Sequence, residues 1–161
     1  MIRLLTSLLF LAFGCGPSGP GFDEDHAFEY LVAQCDFGPR NPGSDGYYAC
    51  LDFIITELDQ SADDIILQEF RYQEQRYRKR YDLQNIIARF NPDASFQTII
   101  SAHWDTRPWA DSEDNRRDRN QPIIGANDGA SGVAVLLELA KIMGETPPPI
   151  GVNLVFFRSE E

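Results

Sequence analysis

Two short apolar runs constrain this chain most: Thr98-Ile99-Ile100-Ser101-Ala102 and Val152-Asn153-Leu154-Val155-Phe156-Phe157. Ile99-Ile100 and Val155-Phe156-Phe157 do not alternate with polar residues, as expected for strands covered on both faces. Metal-type side chains lie just past each run: His103-Trp104-Asp105 after the first, Glu160-Glu161 two residues beyond the second. Between the runs, Gly125-Ala126-Asn127-Asp128-Gly129-Ala130-Ser131-Gly132 opens a helical pattern carried by Val133, Leu136, Leu137, Ala140 and Ile142-Met143. In an open α/β sheet, ligands sit in the crevice at the carboxyl ends of the strands. An imidazole and several carboxylates gathered there suit a divalent transition metal, zinc above all.

The rest of the chain supplies a sheet for those strands. Phe28, Leu31, Val32 and Cys35 follow helical spacing after the acidic start Asp23-Glu24-Asp25, which suits a helix N-terminus. Residues 37–43 are a loop by their glycines and prolines, and Ser44 is placed to cap a helix with the face Tyr47, Leu51, Ile54, Ile55 and Leu58. Strands are expected over 65–72, 81–90 and 96–102, the first two joined as a hairpin through polar residues 73–80. The order helix, helix, strands, helix, strand predicts an α/β fold. The expected arrangement is a three-layer α/β/α domain over residues 22–161, its mixed, mostly parallel central sheet antiparallel at the first edge.

Residues 1–15 read as a signal peptide of the lipoprotein type: Arg3, a short apolar run from Leu4 to Phe13, then Gly14-Cys15. Cys15 is the expected lipidation site, and a plain secretory signal is the alternative. Residues 16–21 form a flexible tether. Export to a bacterial cell envelope or medium follows, with membrane contact only through the lipid anchor. In such a compartment Cys35 and Cys50 are either a disulfide or two separate core thiols. A formal net charge of −11 argues against nucleic acid, which needs a basic footprint. Arg76, Arg78, Lys79 and Arg80, interleaved with Tyr77 and Tyr81, therefore read as an exposed hairpin.

Taken singly, the site residues have bland readings. Asp128 is placed as a helix N-cap, worth about 1 kcal/mol. His103 suits a structural role, and Glu160-Glu161 a solvated loop start. Asp105 is placed to fix the tautomer of His103. Trp104 and Trp109 are either pocket walls or loop packing, and His26 is expected at the surface.

Together the motifs resemble the M28 family of zinc-dependent peptidases, and within it the glutaminyl-peptide cyclotransferase branch. The likeness runs through Phe37-Gly38-Pro39-Arg40-Asn41-Pro42-Gly43-Ser44, then Gln84-Asn85-Ile86-Ile87-Ala88-Arg89-Phe90-Asn91-Pro92, and the three strand-end motifs in order. The resemblance implies that Asp128 and Glu161 bind zinc and that Glu160 is the general acid/base. His103 is implied as a ligand only for a second metal or an aminopeptidase-type site, so one or two ions remain open. Arg158-Ser159 departs from the Asp-Gly usual before the glutamate pair. The resemblance further implies a later histidine ligand and carboxylate past residue 161, making the chain the N-terminal part of a catalytic domain that is inactive alone. The implied activity is cyclisation of N-terminal glutamine, with peptide or protein N-termini as substrate. Hydrolysis of N-terminal residues is the alternative, and an inactive membrane-tethered binding module is the third reading.

Overall fold

The computed structural model of the protein describes residues 21–73 and 78–158. The signal, Cys15, most of the tether, Arg76, Tyr77, Glu160 and Glu161 lie outside the described residues. Helices α1 (Glu24–Asp36) and α2 (Asp45–Asp59) precede strands β1 (Asp64–Gln73), β2 (Arg80–Phe90) and β3 (Gln97–His103). Helix α3 (Ser131–Glu145) and strand β4 (Gly151–Phe157) follow. Both early helices begin where side-chain caps are available. Asp23 Oδ1 accepts from the His26 amide at 3.0 Å, and Ser44 Oγ accepts from the Tyr47 amide at 3.1 Å. Each satisfies an amide that the helix itself cannot.

The four strands form one mixed sheet in the order β1-β2-β4-β3. β1 and β2 are the expected hairpin, with Gln73 opposite Arg80 and Asp64 opposite Arg89. The expected parallel majority is absent among the described strands. β2 runs antiparallel to both neighbours, and only β3 and β4 are parallel. The cause is connectivity: a parallel pair needs a long crossover, and here only the link through α3 provides one.

The core lies on one side of the sheet. Ile86, Ala88 and Phe90 of β2 face the same way as their β4 partners Phe156, Leu154 and Val152. They pack with Tyr47, Cys50, Ile54 and Leu58 of α2, Tyr30 of α1, and Val133, Leu136 and Leu137 of α3. Burying side chains of this kind stabilises by roughly 1.5–3 kcal/mol each. On the opposite face Ile66, Ile87 and Val155 share one register, and Ile99 stands 69% exposed. Among the described residues all three helices join a single core against one face of the sheet.

The first helix is rotated from its expected face. Ala27, Tyr30 and Gln34 point inward, while Phe28 and Val32 are exposed. Cys35 and Cys50 are free thiols, which removes the disulfide alternative. Cys50 is a small core residue, and burial pushes its thiol up to about 12.

Candidate metal centre at the parallel strand ends

The parallel pairing of β3 with β4 builds the candidate site. His103 and Phe157 are register partners, and the Trp104 amide donates to the Phe157 carbonyl at 3.1 Å. The two strands therefore end side by side, with Arg158 continuing from β4 beside the residues that follow His103. The turn before α3 closes over the same edge. There His103 Nε2 lies 3.0 Å from Asp128 Oδ1.

Backbone geometry makes this approach feasible. Gly125 has φ +63 and Gly129 φ +106, a region that L side chains rarely adopt. A Cβ on Gly125 would fall 2.6 Å from the Asp128 carbonyl oxygen, and one on Gly129 only 3.3 Å from His103 Cε1. Asp128 itself is non-helical, at φ −94 and ψ 94. Its carboxylate caps no helix: α3 starts after Ala130 without a side-chain cap. The N-cap reading of Asp128 therefore fails, and its oxygen is spent on the imidazole instead.

His103 is held from both ends. Nδ1 lies 3.2 Å from the Asp105 backbone oxygen and 3.8 Å from the Asp105 carboxylate. The tautomer-fixing partner expected of Asp105 is thus its carbonyl, with the carboxylate as a nearby charge. That Asp105 carboxylate, helped by Asp128, raises the imidazole pKa above the usual 6.5 against the opposing effect of burial. Asp105 is itself buried, and Arg158 Nε lies 3.6 Å from its other oxygen. The Arg158 guanidinium also covers the Tyr72 ring at 3.9 Å, and its amide donates to Asn85 Oδ1 at 3.0 Å. Arg158, noticed in the sequence only as a departure, thus ties β4 to Asp105 just before Ser159.

His103 and Asp128 suit a zinc ion chemically. Two donors about 2 Å from one tetrahedral zinc stand roughly 3.3 Å apart, close to the 3.0 Å seen here. Asp128 remains 60% exposed, open to a ligand. Among the described residues no group of three His, Cys, Asp or Glu side chains is placed to hold a metal. Glu161, expected as a ligand, and Glu160, expected as the acid/base, lie outside them. Of the two tryptophans, Trp109 is half-buried in the loop after β3. Of the two readings of Trp104 the structure gives packing: it is fully buried, its ring 4.4 Å from that of Tyr47. The polar loop at 111–120 is exposed throughout.

Comparison with known proteins gives a consistent picture. Residues 85–161 match the model for Peptidase family M28. Glutaminyl-peptide cyclotransferase of Bos taurus is 26% identical over 132 residues, covering 76% of this chain and 35% of its own. The crystal structure of Tannerella forsythia glutaminyl cyclase superposes with a TM-score of 0.82 at 37% identity, over 88% of this chain and 48% of that one. A Zn-dependent exopeptidase from Parabacteroides distasonis does so equally well, with a TM-score of 0.83 at 35% identity over 88% and 48%. The chain spans about half the length of these two structures and about a third of the bovine protein.

Proposed function

We propose that this chain, an M28-like and glutaminyl-cyclase-like sequence on an α/β fold, belongs to a zinc enzyme that cyclises N-terminal glutamine. The likeness to the cyclases begins before the M28-matching region and takes in three quarters of the chain. That extent, together with the exposed Asp128 carboxylate beside the parallel strand ends, carries the reading. Asp128 and Glu161 would hold the ion, with Asp105 and Arg158 bracing the two strand ends. When bound, zinc would supply a Lewis acid for the side-chain amide carbonyl of the substrate glutamine. Glu160 would take a proton from the α-amine as its nitrogen bonds to the side-chain carbonyl carbon. It would return that proton to the departing nitrogen, so that ammonia leaves and pyroglutamate remains. The N-terminal segment would deliver the enzyme to the cell envelope, anchored through Cys15.

A second reading is aminopeptidase action, favoured by one observation: His103, dispensable for a single ion, lies at ligand distance from Asp128. Here Glu160 would deprotonate a water molecule for hydrolysis of the first peptide bond. One experiment separates these readings. The longest translation product of the gene is incubated with zinc and a Gln-Ala dipeptide, and the products are identified by mass. Loss of one ammonia supports the cyclase, and free glutamine replaces it with the peptidase. An unchanged dipeptide sinks both and leaves the binding module. Palmitate labelling that survives Cys15→Ala would remove the lipid anchor.

A further inference from the structure

Arg40 is among the largest fully buried side chains of the molecule, yet each hydrogen bond its guanidinium makes among the described residues ends on a backbone carbonyl. Nε donates to Trp104 O at 3.0 Å and Nη2 to Gly125 O at 2.9 Å. Nη1 donates to Ile124 O at 2.9 Å and to Gln34 O at 3.3 Å. One planar group therefore reaches three separate segments: the end of α1, the residue between His103 and Asp105, and the turn that presents Asp128. Its own backbone is fixed to the second of these. The Arg40 amide donates to Thr106 Oγ1 at 2.9 Å, and the Thr106 amide donates back to Arg40 O at 3.3 Å.

Gln34 completes the arrangement from α1. Its side-chain amide donates to Ala130 O at 3.1 Å while its carbonyl accepts from Arg40. The turn is thus gripped at both ends, Gly125 by Arg40 and Ala130 by Gln34. Burying a cation against neutral dipoles is costly, and an apolar residue of similar size is often neutral or stabilising in such a place. What an apolar residue cannot do is hold four carbonyls in fixed mutual directions. Lysine cannot either, since its ammonium is a point charge without the fork.

We propose that Arg40 is a positioning residue that sets the distance between His103 on β3 and Asp128 on the α3 turn. This deepens the zinc reading above and rests on it. Among the described residues Arg40 makes no hydrogen bond to either ligand side chain; it holds the backbone on one side of each, at Trp104 just after His103 and at Ile124 and Gly125 just before Asp128.

The test compares the longest translation product of the gene with its Arg40→Lys and Arg40→Ala variants, using three measurements: zinc competition with a chromophoric chelator, thermal melting, and amide exchange. Loss of a group that orients metal ligands weakens metal binding by roughly 10–100-fold, and that loss is expected for Arg40→Lys. Exchange should accelerate at 124–130, with β2 and α2 unchanged. Millimolar methylguanidinium should restore zinc affinity to Arg40→Ala, which a general loss of packing would not allow. Unchanged exchange at 124–130 in Arg40→Lys overturns the proposal, as does acceleration spread evenly over the fold. If the unsubstituted longest translation product binds no zinc, the zinc reading falls, and exchange at the turn alone decides whether Arg40 sets it.

Discussion

His26 and His103 each set a ring nitrogen against a carboxylate, at 2.6 Å from Glu138 and 3.0 Å from Asp128, but the surroundings differ. Glu138 is buried in α3, and its other oxygen accepts from the Asp23 amide at 3.3 Å. The Lys141 ammonium stands 3.3 Å from the same His26 nitrogen, and the Tyr30 ring packs on the imidazole at 4.4 Å. Both Glu138 oxygens are bonded, and a cation already occupies the place where a metal would compete. At His103 the carboxylate is exposed, the turn carrying it is built on left-handed glycines, and no lysine stands among the contacts seen. The pairing chemistry is shared, so it does not distinguish a site from a strut. The exposure of the Asp128 carboxylate and the absence of a competing cation among the described contacts do.

The largest effect that would break this comparison is on metal binding. Asp128→Asn should lower zinc affinity by more than the roughly 100-fold upper range for residues that only orient ligands. Because Asp128 is exposed, its thermal stability should stay within about 0.5 kcal/mol of the parent. Chelator competition and melting check the two halves, and retained affinity would make Asp128 a strut as well. Glu138→Ala should do the reverse. It should destabilise by about 1 kcal/mol, the worth of hydrogen bonds to a buried carboxylate from half-exposed donors, with zinc affinity unchanged; urea unfolding measures this.

A pH titration sharpens the contrast at smaller scale. In zinc-free protein the His103 imidazole should titrate above 6.5 by proton NMR, and Asp128→Asn should lower its midpoint. The sign follows from the raised pKa. The stability this pair contributes is full below 6.5 and is lost as pH rises through the higher folded value. A midpoint at or below 6.5 would contradict the geometry. Smallest is the response to a thiol reagent at neutral pH. Half-buried Cys35 should react, and Cys50, whose thiol burial pushes up to about 12, should stay silent until unfolding. Equal reactivity would mean that the α1–α2 core opens readily.

Where the sequence was legible, the signals were local. The Ser44 cap, the α2 face of Tyr47, Leu51, Ile54 and Leu58, and the β1–β2 hairpin all match, because spacing and breaker residues act within a few positions. α1 was misread for a physical reason. Its inner face is Ala27, Tyr30 and Gln34, whose polar atoms bond to partners far along the chain, so apolar spacing pointed to the outer face instead. Whether Trp104 beside His103 lined a pocket or packed was open in the sequence; it is buried on Tyr47, a contact no local pattern announces. Arg40, embedded in a breaker-rich loop, carried no signal of its role beyond belonging to a family-like motif.

From its letters alone, the chain determined an α/β order with a hairpin, and placed His103 and Asp128 at a strand end and a helix entrance. Those follow from periodicity and turn chemistry, which need no distant partner. Which carboxylate meets which imidazole was decided only in three dimensions, as were the burial of Arg40 and the choice of carbonyl over carboxylate at His103 Nδ1. The reason is reach. The bonds from Arg40 to Trp104 and from His26 to Glu138 join residues 64 and 112 positions apart, and only the packed sheet and helices bring such groups within hydrogen-bond distance.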